Sequence, residues 1–337
     1  MLITFIFIVC TTTVSASTYY AIAPFNTNPL YGSVYTYEST LMKFQFYMNF
    51  SFHIDDKDID LYYFESGPVA TIGQNSSVFY MPMQCGTAFE RLFLLSFDLK
   101  TKTYQQSQWI SHDGFFHYLF YDPRRQRLFG LYSVSTFTLI IEEYDLHTLE
   151  AIKQYTKQDG EQYAFSYANC YIFDYEENWI VEVRTRFENP SVQAYYIKMD
   201  LNLVGKKDDI VVDFHLMPEV HNLCSMTYDM KTKNVFATWQ HGSIDRDLIM
   251  LYMNPYTGEF RNETLLFSTP KGLVVQDIQA VYNETTRQIL FFIHHENDST
   301  FSDTYWTLLV EFDTMKILEK KQVKNIHDFD RWELFLL

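Results

Sequence analysis

Apolar runs closed by short polar turns recur along most of the chain. From Tyr118 the sequence reads "YLFYDPRRQRLFGLYSV": an apolar run, a polar turn after Tyr121-Asp122, then a second apolar run. That pattern predicts a β-hairpin. It returns as "FDYEENWIVEV" at Phe173, "YDMKTKNVFAT" at Tyr228 and "YNETTRQILFF" at Tyr282, at spacings of 52, 55 and 54 residues. A second turn follows each hairpin: "FDLKTKTY" at Phe97, "YDLHTLEA" at Tyr144, "MDLNLVGK" at Met199, "MNPYTGEF" at Met253 and "FDTMKILE" at Phe312. Asp and Asn suit both turns because their side chains bond nearby backbone and tolerate unusual dihedrals.

Each unit of roughly fifty residues thus predicts four strands, a to d. One four-stranded sheet leaves both faces open, whereas several packed face to face around an axis bury both. The fold class expected is all-β, a six-bladed β-propeller, with seven blades as the rival. Blades are expected at about 67–110, 111–156, 161–212, 219–267 and 272–323. "IGQNSSVFYMP" at Ile72 supplies the first anchor and "FDRWELFLL" at Phe329 the sixth. The sixth has room for only strands a and b, so 324–337 is expected to share its blade with 17–66. "LMKFQFYMNFSFHI" and "DIDLYYF", between Leu41 and Phe64, would give strands c and d. Sharing a blade between the termini removes exposed sheet edges.

The aromatic-Asp hairpin resembles six-bladed YWTD-type and NHL-type propeller blades, and "MNPYTGEF" resembles the D-x-x-T-G outer hairpin of several propeller families. The resemblance covers nearly the whole chain past residue 16 and is generic. It implies a fold and transfers no family's functional residues.

The first 16 residues, "MLITFIFIVCTTTVSA", read as a secretory signal with Val14-Ser15-Ala16 as cleavage site. The apolar stretch Leu2–Cys10 is too short to span a bilayer, so no stable membrane insertion is expected. The localisation expected is secreted, or the lumen of the secretory or endolysosomal pathway. Five N-x-Ser/Thr acceptors agree: Asn49, Asn75, Asn262, Asn283 and Asn297. Three cysteines remain past the signal, and Cys170 and Cys224, near the ends of neighbouring a strands, are candidates for a bridge.

Composition sharpens the picture. Hydrophobic residues make up 47% and aromatics 18%, with 30 Phe and 26 Tyr against 11 Gly. This favours strands. A formal net charge of −16 repels phosphate backbones, so nucleic acid is not an expected partner. An extracellular protein, a glycan or a small molecule is.

Candidate chemistry gathers where the chain approaches strand a, since fold analogy places ligands on the face of the d–a and b–c loops. The ligand-binding candidates are His112, His117, Tyr167, Asn169, Glu219, His221, Asn222, Gln276 and Asp277. Asp113, Glu161, His327 and Asp328 lie beside them. Tyr167, Asn222 and Gln276 each stand six residues before their anchor. No cofactor is expected; Ca²⁺, which takes oxygen ligands, would fit Asn169, Glu219, Asn222 and Asp277. Six-bladed lactonase-like enzymes have such a site. "HIDDKDID" lacks the EF-hand Gly and Glu and reads as a solvated turn, and "HHEND", His294 to Asp298, reads as a surface b–c loop. Three functions follow: a secreted, glycosylated binding module using the d–a face; a metal-dependent secreted hydrolase of lactonase or esterase type; or a structural extracellular component. No G-x-S-x-G elbow, Walker loop or H-E-x-x-H helix is present.

Overall fold

The computed structural model describes residues 5–9, 18–25, 31–38, 43–51, 70–71, 77–85, 91–108, 110–111, 115–135, 138–158, 164–188, 191–201, 212–216, 221–241, 247–256, 260–283, 286–297, 300 and 302–323. These residues form six antiparallel sheets in sequence order. Sheet A holds β1 (Phe5–Val9), β2 (Thr18–Phe25), β3 (Tyr31–Glu38) and β4 (Lys43–Ser51). Sheet B holds β5 (Ala70–Thr71), β6 (Val78–Cys85), β7 (Arg91–Asp98) and β8 (Thr103–Gln106), with β9 (Ile110–Ser111) also paired to β7. Sheet C holds β10 (Phe115–Asp122), β11 (Arg127–Ser135), β12 (Thr138–Tyr144) and β13 (Ala151–Gln158). Sheet D holds β14 (Ala164–Asp174), β15 (Trp179–Glu188), β16 (Ser191–Asp200) and β17 (Val212–Leu216). Sheet E holds β18 (His221–Asp229), β19 (Asn234–His241), β20 (Asp247–Met253) and β21 (Phe260–Phe267). Sheet F holds β22 (Leu273–Asn283), β23 (Gln288–Asn297), β24 (Asp303–Glu311) and β25 (Lys316–Val323). The arrangement is an all-β β-propeller. Among the described residues no helix is long and apolar enough to cross a membrane.

Two compact units divide the chain. One comprises Met1–Gln162, Gly205–Asp209 and Asp328–Leu337 and contains sheets A to C; the other comprises Tyr163–Val204 and Ile210–His327 and contains sheets D to F. Within the second unit the first strands run side by side, β14 against β18 and β18 against β22.

Period-two alternation explains why strands that are apolar at every position form sheets with two buried faces. Val235 and Ala237 of β19, with Ile249, Leu251 and Met253 of β20, pack on Ile172, Trp179 and Val181 of sheet D. The intervening residues Phe236, Leu248 and Met250 pack on Ile289, Phe291 and Ile293 of sheet F. In the first unit, Tyr80, Leu92 and Leu94 of sheet B meet Phe116, Leu128 and Tyr132 of sheet C. There, a Cβ on Gly130 would lie 2.7 Å from the Phe116 ring and 3.0 Å from that of Tyr144. The glycine of "RLFGL" therefore admits two aromatic rings.

The repeated turns share one mechanism. Asp122 Oδ1 accepts from the N–H groups of Arg124 (2.9 Å) and Arg125 (3.1 Å). Asp174 Oδ1 accepts from those of Glu176 and Glu177, both at 2.8 Å. Asp229 accepts from Lys231 (3.1 Å), and Asn283 from Thr286 (3.1 Å). The fifth residue after each anchor takes a left-handed φ: Gln126 (51°), Asn178 (62°), Lys233 (57°) and Arg287 (52°). Such φ values are uncommon outside Gly, and the capped carboxylate or amide holds them in place.

These turns also join neighbouring sheets of the second unit. Asp174 is fully buried and takes Tyr228 Oη–H at 2.5 Å and Lys233 Nζ at 2.8 Å, both from sheet E. Burial pushes its pKa up, but the bonds from Lys233, Tyr228 and the turn backbone outweigh that and hold it below the ordinary carboxylate range. Asp229 repeats the device with Arg287 of sheet F at 3.2 Å, and Arg287 also forks onto Asp313. In the first unit, Asp122 is instead paired with Arg125 of its own turn.

Among the described residues, sheet A is built from N-terminal strands alone. Four consecutive N-terminal strands build it, so 18–25 and 31–38 occupy the second and third positions and 43–51 the fourth. The aromatic and β-branched runs "TYYAIAPF" and "YGSVYTYE" pair in an uninterrupted ladder from Tyr19↔Tyr37 to Phe25↔Tyr31. They carry no aromatic-Asp anchor, and so stood outside the repeat. The first position is taken by Phe5–Val9, inside the stretch read as a secretory signal: Phe, Ile and Val make a good strand as readily as a leader core. "DIDLYYF" and 324–337 lie outside the described residues.

Asp174→Ala should lower stability by about 3 kcal/mol, the usual result of stripping one partner from a buried charge pair. Asp313→Ala, whose carboxylate is exposed to screening by solvent, should cost far less. Urea unfolding monitored by tryptophan fluorescence checks both; equal losses would mean that the buried carboxylate does not secure the seam.

Candidate functional site

The first strand of each of sheets C to F is regular near its turn and irregular toward its other end. In β10 the pairing passes from Phe116↔Tyr132 to Tyr118↔Leu131, leaving His117 as an extra residue. In β22 it passes from Val275↔His295 to Asp277↔His294, leaving Gln276. Asn222 and Leu223 are skipped in β18, between His221↔Gln240 and Cys224↔Trp239. In β14 the ladder steps from Ser166↔Arg184 to Tyr171↔Glu182, so Tyr167 to Cys170 oppose Val183 alone. A bulge takes residues out of the ladder, bends the strand and re-aims the local side chains.

The sequence-derived candidates fall on these breaks. Tyr167, Asn169, Asn222 and Gln276 lie in them, His221 and Asp277 border them, and in the second unit the three broken stretches belong to strands that touch in series. His117, in the first unit, is 7% exposed, with its ring 6.5 Å from that of Tyr118. It is therefore buried. His112 and Glu219 lie outside the described residues, as do Asp113, Glu161, His327, Asp328 and the Asp56, Asp58 and Asp60 turn. Asn169, Asn222 and Asp277 of the expected oxygen set are strand residues of β14, β18 and β22. Among the described residues no group of three or more His, Cys, Asp or Glu is placed to hold a metal ion. Cys170 and Cys224 stand in the adjacent strands β14 and β18.

"HHEND" is not a surface loop. β23 runs through Asn297, and His294 and His295 are 6% and 0% exposed. Pairing on both sides, to Asp277 and Tyr305 at His294 and to Val275 and Thr304 at His295, carries the strand this far. Asn297 Oδ1 then accepts from Thr300 N–H at 2.9 Å and closes the turn. His294 Nε2 lies 2.7 Å from Asp303 Oδ1, and its ring stacks on Tyr305 at 4.7 Å. His295 points to the opposite face, 5.1 Å from the Phe267 ring, and neither of its ring nitrogens has a hydrogen-bond partner among the described residues. Burial, with help from His294 and Lys320, pushes its pKa down to about 4.

The acceptor sites for glycan differ in setting. Asn49 is exposed on β4 and accepts from Ser33 Oγ–H at 2.7 Å. Asn283 is 8% exposed with its carbonyl committed to the turn. Asn262 lies in β21 and Asn297 ends β23, while Asn75 is outside the described residues.

No protein-family model and no curated protein matches the chain. Among solved structures it is similar to the periplasmic gluconolactonase of Pseudomonas aeruginosa, at 10% identity over 94% of this chain and 84% of that one, with a TM-score of 0.48. It is also similar to the β-propeller domain of the Trilobed protease from Pyrococcus furiosus, at 8% identity over 96% and 97%, TM-score 0.43. A third is an apocarotenoid oxygenase of Synechocystis, at 11% identity over 90% and 70%, TM-score 0.45. Likeness at this level concerns the fold, and no activity is taken from it.

Stability should fall as pH drops through the His295 window. A histidine ordinarily titrates near 6.5, whereas the folded group titrates near 4. The folded state therefore binds fewer protons, and its stability is full above 6.5 and is lost progressively toward 4. The loss should reach about 3 kcal/mol, read as a fall in urea midpoint. His295→Phe should remove this component; an unchanged pH profile would show that His295 does not set it.

Proposed function

We propose that the chain is a secreted, glycosylated, six-bladed β-propeller that acts as a binding module. It engages a protein, glycan or small ligand through the end of the sheets that carries the d–a and b–c connections. The observation that supports this most is the repeated bulge. Three touching first strands lose their ladder at Tyr167–Cys170, Asn222–Leu223 and Gln276, which releases backbone groups from strand pairing in neighbouring strands. At their opposite ends these strands finish in turns that use up their own polar groups. The acidic balance of the chain, −16, favours neutral or cationic ligands at that end.

Secretion reshapes sheet A in this reading. Removal of residues 1–16 takes β1 from the edge of β2, where Phe5 to Val9 pair with Ile22 to Thr18. The C-terminal segment 324–337, whose last residues "WELFLL" have strand-like composition, is the part of the chain proposed to fill the place. The blade is then shared between the termini, with one strand from the end of the chain and three from its start.

These claims are tested by the processing, the binding and the cross-linking of the secreted chain. Chain purified from the medium of secreting cells should begin at Ser17 and lose mass on endoglycosidase treatment. On glycan arrays and in thermal-shift screens it should bind at least one ligand that Asn222→Ala and Gln276→Ala weaken tenfold or more. Lactone turnover abolished by EDTA would overturn the binding-module reading in favour of a metal-dependent hydrolase. For the shared blade, Tyr20→Cys paired in turn with Glu333→Cys, Leu334→Cys, Phe335→Cys and Leu336→Cys should give a disulfide in one register. An intracellular chain still starting at Met1, or no cross-link in the processed chain, would sink it.

A further inference from the structure

The last strand of sheet A sets an exposed aromatic ring beside a glycan acceptor. The pairing of β3 with β4 passes from Val34↔Met48 to Tyr35↔Phe46, which leaves Tyr47 as an extra residue. In such a bulge two residues of one strand oppose a single residue of the other. Tyr47 and Met48 therefore share a face, and that face is covered by sheet B. Tyr47 donates through Oη–H to Leu99 O at 2.5 Å, Met48 is buried, and Phe50, two residues on, meets the Phe97 ring at 4.7 Å.

The residues flanking the bulge take the opposite face. Phe46 pairs with position 35 of β3 and Asn49 with position 33. Positions two apart on a strand share a face, so Phe46 and Asn49 do as well. Without the extra residue, side chains three apart would point to opposite sides. Phe46 is 59% exposed, and Asn49 is exposed beside it. Asn49 opens the acceptor Asn49-Phe50-Ser51. Its Oδ1 accepts from Ser33 Oγ–H at 2.7 Å, which fixes the amide through its oxygen and not through Nδ2.

That arrangement suits a sugar on Asn49. N-glycosylation replaces one Nδ2 hydrogen by C1 of N-acetylglucosamine, with a lipid diphosphate as the leaving group. One face of that pyranose presents C–H groups. It is apolar enough to gain by leaving water, and its slightly positive hydrogens match the negative face of a phenyl ring. Neighbours on one strand face stand about 7 Å apart, within reach of the first sugar.

We propose that Phe46 is the platform on which the first N-acetylglucosamine of an Asn49 glycan stacks, and that the stacked sugar stabilises sheet A. The inference rests on the reading of the chain as secreted and glycosylated.

The test uses the whole chain from the medium of secreting cells. Endoglycosidase trimming leaves one N-acetylglucosamine on each occupied site, and the mass of the Asn49 peptide should show that tag. Ser51→Ala abolishes the acceptor and keeps Asn49. It should lower Tm by about 2 °C more in the wild type than in a Phe46→Ser background. Comparing the two backgrounds cancels what Ser51 loses at Tyr104 Oη, 3.0 Å away. Both replaced side chains are exposed, so the folded chain tolerates them. In NMR spectra of the trimmed chain, ring protons of the first sugar should be shifted upfield, and Phe46→Ser should remove the shift. Equal losses of Tm in the two backgrounds, or unshifted sugar protons, on an occupied Asn49 overturn the stacking alone. An Asn49 peptide without sugar overturns the glycosylated reading at this site and the stacking with it.

Discussion

A buried carboxylate at the end of a first strand is the contact on which the sheets of the second unit depend. Asp174 has one oxygen on two turn N–H groups and the other on a phenol and an ammonium from the next sheet. The first pair of bonds fixes the turn, and the turn fixes the register from Asp174↔Trp179 onward. Register decides which residues face which neighbour, because a slip by one position would turn every side chain to the other face. The second pair then locks the seam that this register creates.

The same position is filled differently from sheet to sheet, and the consequences follow from charge. Asp229 binds a guanidinium that also serves Asp313, so one cation ties three elements together. Asn283 caps its turn as a neutral amide. Asp122 takes Arg125 from within its own hairpin. Turn ends are thus closed by satisfied polar groups, whereas the opposite ends of the same strands break their ladders. Single strands therefore have a bonded turn at one end and a broken ladder at the other.

The hairpins were legible because the turn residue is chemically constrained. A short acidic or amide side chain must follow the aromatic anchor, and apolar runs must flank it, so the repeat survives in the sequence. Sheet A left no such mark: β2 and β3 pair through ordinary aromatic and β-branched residues. "MLITFIFIV" satisfies a leader core and a strand equally well, since both require only an apolar run. His294 and His295 were misread for a related reason. Polar residues at the end of an apolar run look like a loop, and only pairing with β22 and β24 shows that the strand continues. The bulges could not be foreseen, because an extra residue is defined by its partner strand.

The sequence by itself determined the all-β class, the fifty-residue unit and the turn chemistry, because these depend on local periodicity and on side chains that bond their own backbone. Tertiary structure decided which carboxylate meets which cation, which strand starts sheet A, and which imidazole is buried. Those outcomes depend on groups far apart in the chain, such as Asp174 with Lys233 or Phe267 with His295. No local pattern encodes the distance between them; the packing of one sheet face on the next does.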